Sequence, residues 1–250
     1  MSTKFFRANH SLIGAKHVRF DGVQLDDVFI IDEILLQILP DVVSTTQESA
    51  GRNGDHFLGG RYGVRSGQMR VSLNTRQHGR IDSLAMFKKA AGVFISDEPK
   101  KLDFGHFYVY ARFTNSSDYD QVGIFGSTTL DFVCYDPYMY FDTLSTQISA
   151  GENLVYCSSP CSVLPVLTLT GCSAPLEIKN VRTEDKVVIS AGISDEKTIL
   201  IDMEHERCEI DGAYLPVDNM LTDFFGLDPG ENLISISSGH GSIEYVERAL

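Results

Sequence analysis

Tryptophan is absent from the 250-residue sequence, proline is scarce at 8 residues, and no apolar run approaches the roughly 20 residues that span a bilayer. The opening MSTKFFRANHSLIG lacks the long apolar stretch and small-residue cleavage site of a secretion signal, so a chain made and folded in a cytosol is expected. Five cysteines, at Cys134, Cys157, Cys161, Cys172 and Cys208, form an odd set with no repeated C-x-x-C spacing. That pattern favours buried, unpaired thiols over a disulfide framework or a zinc ribbon. Basic residues are few as well. The 21 Lys and Arg against 34 Asp and Glu give a formal charge of -13, the wrong sign for a surface that holds nucleic-acid phosphates. There is no G-x-S-x-G elbow, no H-E-x-x-H, no P-loop and no G-x-G-x-x-G opening a helix, so no catalytic, cofactor-binding or metal-ligating residue is assigned.

Hydrophobic residues make up 43% and charged residues 22%, which excludes disorder or low complexity as the main state. The length suffices for one large β domain or two ordinary ones. Charge is unevenly spread. Residues 1–140 hold 15 Lys and Arg against 16 Asp and Glu, a balance of -1, whereas residues 141–250 hold 6 against 18, a balance of -12. This step predicts a domain boundary near residue 140.

Period-2 alternation predicts strands. Met69, Val71 and Leu73 face one way within 67–76, as do Phe107, Val109, Ala111 and Phe113 within 107–113, and Leu130, Phe132 and Cys134 within 128–134. Residues 81–91 read as a three-turn amphipathic helix, with Gly92 free to take a left-handed cap. Beyond Tyr140 the strands are expected to be shorter: 163–170, 186–190, 198–202, a hairpin turn at 203–206 into 207–210, and a strand 232–236 turned back at 238–241 into 242–246. Their spacing suggests a β-sandwich. The polar stretch Asp41–Asp55 has no hydrophobic face and reads as an arm or long loop. No internal repeat is evident.

Several residue groups carry two readings. His205 and Cys208 are three apart, but on a strand they face opposite ways, so an exposed turn histidine is preferred to a metal site. Asp202, Glu204, Glu206, Glu209 and Asp211 lack calcium-loop spacing and read as a solvated acidic face. Gly51-Arg-Asn-Gly-Asp55 is either an anion-binding nest or, preferably, a tight turn whose glycines take positive φ. The cluster Tyr135, Asp136, Pro137, Tyr138 and Tyr140 is either a sugar-stacking platform or an interdomain joint, and the missing Trp favours the joint.

Taken in order, these pieces resemble the distal tail proteins of phages with long non-contractile tails, also carried by prophages. The resemblance rests on Leu39-Pro40, the loop Gly51–Asp55, the alternating run Tyr62 through Leu73, the helix 81–91, the turn Asp97-Glu98-Pro99 and the junction Leu130–Tyr140. In the second half it rests on Pro165–Gly171, Ile199–Asp202 and Leu227–Ile236. It implies a mainly β protein. An N-terminal β-sandwich or split-barrel domain with one α-helix (1–140) would form a hexameric ring, and a C-terminal galectin-like β-sandwich (141–250) would lie outside it. It also implies a non-enzymatic virion component at the distal end of the tail, joining the tail tube protein to the tail-tip hub or tail-associated lysin and to receptor-binding or baseplate proteins. DNA would pass through without specific binding, and no membrane is involved. Gln47, Glu48, Arg52, Asn53 and Asp55 are the expected contacts of an inter-subunit arm. The alternative reading is a glycan-binding module that recognises the host surface.

Overall fold

The structure, a computed structural model, describes residues 5–8, 18–26, 29–49, 51, 53–73, 91–116, 120–122 and 125–250. The fold is mainly β, in two compact units, Met1–Met139 with Leu250, and Tyr140–Ala249. The helix expected over 81–91 lies outside the described residues except at its end. A short helical turn occupies 91–94, and Gly92 sits within it with an ordinary negative φ, so the left-handed cap expected there is not used.

In the first unit the strands are β1 (Phe5–Ala8), β2 (Arg19–Phe20), β3 (Val23–Gln24), β4 (Phe29–Gln37), β5 (Val42–Gln47), β6 (His56–Tyr62), β7 (Arg65–Leu73), β8 (Lys100–Asp103), β9 (Tyr108–Ser116), β10 (Asp120–Val122) and β11 (Phe125–Cys134). Antiparallel pairing runs β1–β4–β7–β11–β9–β8–β2–β3, with β10 folded back on β11. Alternation decides which side chains face the core. Met69 and Val71, Val109 and Ala111, and Leu130, Phe132 and Cys134 are buried, as their spacing predicts. Phe113 joins a ring cluster with Phe20 (centroids 5.0 Å apart), Phe94 (4.6 Å) and Phe132 (5.7 Å). Each fully buried ring contributes about 1.5–3 kcal/mol by leaving water. Gly67 is small because Phe132 lies on it: an added Cβ would come within 2.3 Å of that ring. Two Asp-Gly pairs, Asp21-Gly22 and here also Asp211-Gly212 of the second unit, have positive φ at both residues, the geometry of the tight turn that matches strand twist.

The stretch expected to be an arm or long loop is instead half of a hairpin. β5 and β6 pair with each other antiparallel and form a separate two-stranded sheet. The run Tyr62 through Leu73 is correspondingly broken, with β6 ending at Tyr62 and β7 starting at Arg65.

The second unit comprises β12 (Met139–Cys157), β13 (Val166–Thr170), β14 (Leu176–Asn180), β15 (Lys186–Ile189), β16 (Ile199–Asp202), β17 (Arg207–Ile210), β18 (Ala213–Tyr214) and β19 (Gly230–Ala249). β19 is the spine. Its residues 240–244 pair with β13 and its residues 234–236 with β14, while β16, β17 and β18 extend from β13, and β15 from β14. Two expectations are corrected here. The strands do not all shorten after Tyr140, since β12 has 19 residues and β19 has 20. And 238–241 does not turn the chain back: Gly239 takes a φ of +90° while the strand continues onto a second partner. Gly241 lets β13 close against it, because a Cβ there would stand 1.8 Å from the Thr168 carbonyl oxygen.

Contrary to the expectation of no internal repeat, a short one is present. Gly-Glu-Asn-Leu occurs at 151–154 and at 230–233. In both copies the glycine has positive φ and the asparagine clasps a five-residue loop. Asn153 Oδ1 accepts from Ser149 N–H (2.9 Å) and its Nδ2 donates to Ser149 O and Gly151 O. Asn232 treats Asp228 and Gly230 identically. The core of this unit includes Leu167, Leu169, Ile178, Ile199, Ile201, Ile234, Ile236 and Ile243.

Candidate assembly interface

The β5–β6 hairpin shows its side chains to solvent on both faces. Every described residue of β5 is exposed, and all of β6 except Gly59. That includes Val42, Val43 and Tyr62, with Phe57 at 68% and Leu58 at 61%. Thr45 pairs with Gly59 and Thr46 with Phe57, so Leu58 is the extra residue of a bulge. The Phe57 ring lies against Gly60, where a Cβ would come within 3.4 Å of it. At the tip, Gly51 and Gly54 have φ of +81° and +86°, in keeping with the turn reading of 51–55. Of the residues expected to make arm contacts, Gln47 ends β5 opposite His56, and Glu48, Asn53 and Asp55 are exposed near the tip. Arg52 lies outside the described residues.

The hairpin is closed at its root by polar contacts. Asp41 N–H donates to Val64 O (3.1 Å) and Gly63 N–H donates to Asp41 O (2.6 Å). Gln37, itself buried, accepts from Ser66 N–H through Oε1 (2.8 Å) and donates from Nε2 to Asp41 Oδ1 (3.4 Å). Beside it lies Arg65, the one charged side chain that is buried among the described residues. Its Nε donates to Pro137 O (2.9 Å), and its Nη1 to Gln37 O (2.5 Å) and Ile38 O (3.0 Å). Burial pulls its acidity constant below the ordinary arginine value. Cys134, directly across the β7–β11 ladder, is pushed up to about 12, chiefly by burial. Arg65 was not singled out from the sequence. The signal was there, since Arg65 is in phase with Gly67, Met69 and Val71, which places a cation on the core face of β7.

The junction residues line the chain's way out of the first unit. Tyr135 is exposed, Asp136 accepts from the Tyr138 amide (3.1 Å), Pro137 accepts from Arg65, and Tyr138 and Tyr140 are half-buried.

In the second unit, the expected hairpin turn joins β16 to β17. Asp202 Oδ1 accepts from the Glu204 and His205 amides, and its Oδ2 pairs with His205 Nδ1 at 2.8 Å. Burial acts to raise the Asp202 carboxyl, but these hydrogen bonds outweigh it and leave it below the usual carboxylate range. The same bond, with the Asp202 charge, raises His205 above the usual imidazole value. Cys208 points into the core and is pushed up to about 12 by burial, so His205 and Cys208 do not converge. Glu209 pairs with Arg207 and Asp211 with Lys197, while Glu204 and Glu206 are exposed to solvent. All five cysteines are free, four of them buried and Cys161 half-buried. Among the described residues no helix is long and apolar enough to cross a membrane.

Comparison with known proteins accounts for this architecture. Residues 158–248 match the family described as siphovirus-type tail component, C-terminal domain. No curated protein matches the sequence significantly. Among solved structures, the chain is similar to the Dit protein of phage SPP1, described as a paradigm of the hub adsorption apparatus in phages infecting Gram-positive bacteria. The TM-score is 0.82 at 16% identity, over 94% of this chain and 99% of that one. It is also similar to chains of the phage P2 baseplate in its activated conformation. With Ca the TM-score is 0.53 at 9% identity over 95% and 92% of the two chains, and with Sr it is 0.53 at 9% over 91% and 93%. Residues 158–248 thus match a siphovirus-type tail component domain, on a chain that over nearly its whole length shares the fold of the SPP1 Dit protein.

Proposed function

We propose that the chain is a structural subunit of the tail tip of a phage or prophage with a long non-contractile tail, six copies of which close into a ring around a channel. In this reading the ring joins the tail tube protein to the tail-tip hub or tail-associated lysin and to the receptor-binding or baseplate proteins. DNA passes through it without specific recognition, and adhesion is left to other subunits. The subunit folds in the host cytoplasm and resides at the distal end of the virion tail.

The observation that carries this reading is the β5–β6 hairpin, which exposes Val42, Val43, Phe57, Leu58 and Tyr62. An isolated two-stranded hairpin is marginal in water, and its apolar side chains gain about 25 cal/mol per Å² only when something covers them. A neighbouring copy in a head-to-tail ring supplies that cover once per subunit and leaves no copy unsatisfied. Electron microscopy of the purified, concentrated chain tests the reading. Six-fold rings with an open centre support it, and particles of a single subunit at every concentration, with saturable binding of host wall polysaccharide, would turn the assignment to the glycan-binding alternative.

A further inference from the structure

Arg65 occupies a costly position. A cation on the core face of a strand is disfavoured unless it is fully paired, and a well-packed hydrocarbon often serves stability as well. Here no carboxylate among the described residues pairs with the guanidinium. Cys134 opposite it stays protonated at ordinary pH and supplies no counter-charge. Among the described residues three main-chain carbonyls bear the charge, and Nη2 is buried with no acceptor.

Those carbonyls belong to two segments far apart in sequence. Gln37 and Ile38 are where β4 hands over to the hairpin, and Pro137 lies two residues before the end of the first unit. A guanidinium suits this task because its donors leave a rigid plane in fixed directions, whereas a lysine ammonium concentrates its donors at one point. No described residue of either hairpin strand is buried, so no core contact sets the hairpin's direction, and that task falls to the polar knot of Gln37, Asp41, Gly63 and Arg65 at its root.

We propose that Arg65 is a positioning residue for assembly: by holding Gln37, Ile38 and Pro137 on one guanidinium, it fixes the direction of the β5–β6 hairpin and ties it to the segment leading out of the first unit. This rests on the reading of the hairpin as an inter-subunit arm, but the anchoring itself can be measured without a ring.

The test is hydrogen exchange by mass spectrometry on the full chain at a concentration below assembly, for the wild type, Arg65→Met and Arg65→Lys. In the wild type, the root amides of Asp41 and Gly63 should exchange as slowly as those of β7. In both variants the segment 38–64 should exchange about tenfold faster or more, the scale expected for losing this set of bonds, while β9 and β11 keep their protection. Lysine should not rescue, because it keeps the charge and loses the fork. Unchanged exchange in 38–64, rescue by lysine, or loss spread evenly over β4, β7 and β11 would each overturn the positioning role. Should neither variant fold, the wild-type profile decides: root amides that exchange as fast as those at 48–55 contradict it. Failure to form rings leaves this test standing, and rings that form from a chain with a freely exchanging root would remove the role of Arg65 alone.

Discussion

Two hairpins of this chain have opposite characters. β16–β17 in the second unit alternates buried and exposed residues, so Ile199, Ile201, Cys208 and Ile210 anchor it in a core. β5–β6 in the first unit has no buried residue at all. The first hairpin is part of what holds its own unit together. The second leaves its side chains exposed, and its root is held by a polar knot instead of a core.

That contrast can be broken in graded steps. The largest effect is expected at Gly241→Ala, where the new Cβ would collide with the Thr168 backbone. The β13–β19 ladder must then open, and the second unit should lose about 4 kcal/mol or more, read by urea denaturation with far-ultraviolet circular dichroism. A stability within about 0.5 kcal/mol of wild type would mean the ladder does not close there.

Next come paired truncations in the two hairpins. Ile201→Ala removes a fully buried side chain and should cost about 2–5 kcal/mol. Leu58→Ala in β6 should cost under about 0.5 kcal/mol, because its side chain is largely exposed. Equal losses in the same denaturation measurement would erase the distinction between the two hairpins.

The smallest effect is electrostatic and confined to β16–β17. His205 is raised in the folded state, so its contribution is full below the ordinary imidazole value of about 6.5 and is lost as pH rises through the raised one. Asp202 is lowered, so its contribution is present above about 3.9 and lost as pH falls through the lowered value. The pair therefore works best in mildly acidic solution. His205, being exposed, should change stability only slightly. An NMR titration should place His205 above the ordinary imidazole value and return it toward that value in Asp202→Asn. A titration indifferent to this substitution would show that the bond does not persist in solution.

The sequence was most informative where alternation is clean. β7, β9, β11 and the hairpin β16–β17 follow from period-2 patterns and turn residues, and so does the mainly β class. β4 was not legible, because a bulge between Ile31 and Glu33 shifts its phase. Its buried positions Phe29, Ile31, Ile34 and Leu36 therefore mimic helical spacing. The long β19 was broken by reading glycines as turns, when Gly239 and Gly241 serve a kink and a close approach between backbones. The β5–β6 hairpin was legible only as a polar interruption. The strand character of β5 depends on pairing with β6, a contact that no pattern within 41–55 reveals. Arg65 was hidden because a single residue off the hydrophobic pattern looks like a strand end rather than an anchor.

The central claim is that the exposed hairpin is a device for assembly. Native mass spectrometry of the wild-type chain and of Phe57→Ala over one concentration series tests it most directly. The account predicts a discrete six-subunit species for the wild type that is lost or strongly weakened in Phe57→Ala, with the monomer's charge-state distribution unchanged. A monomer at every concentration, or a six-subunit species indifferent to Phe57, would contradict it.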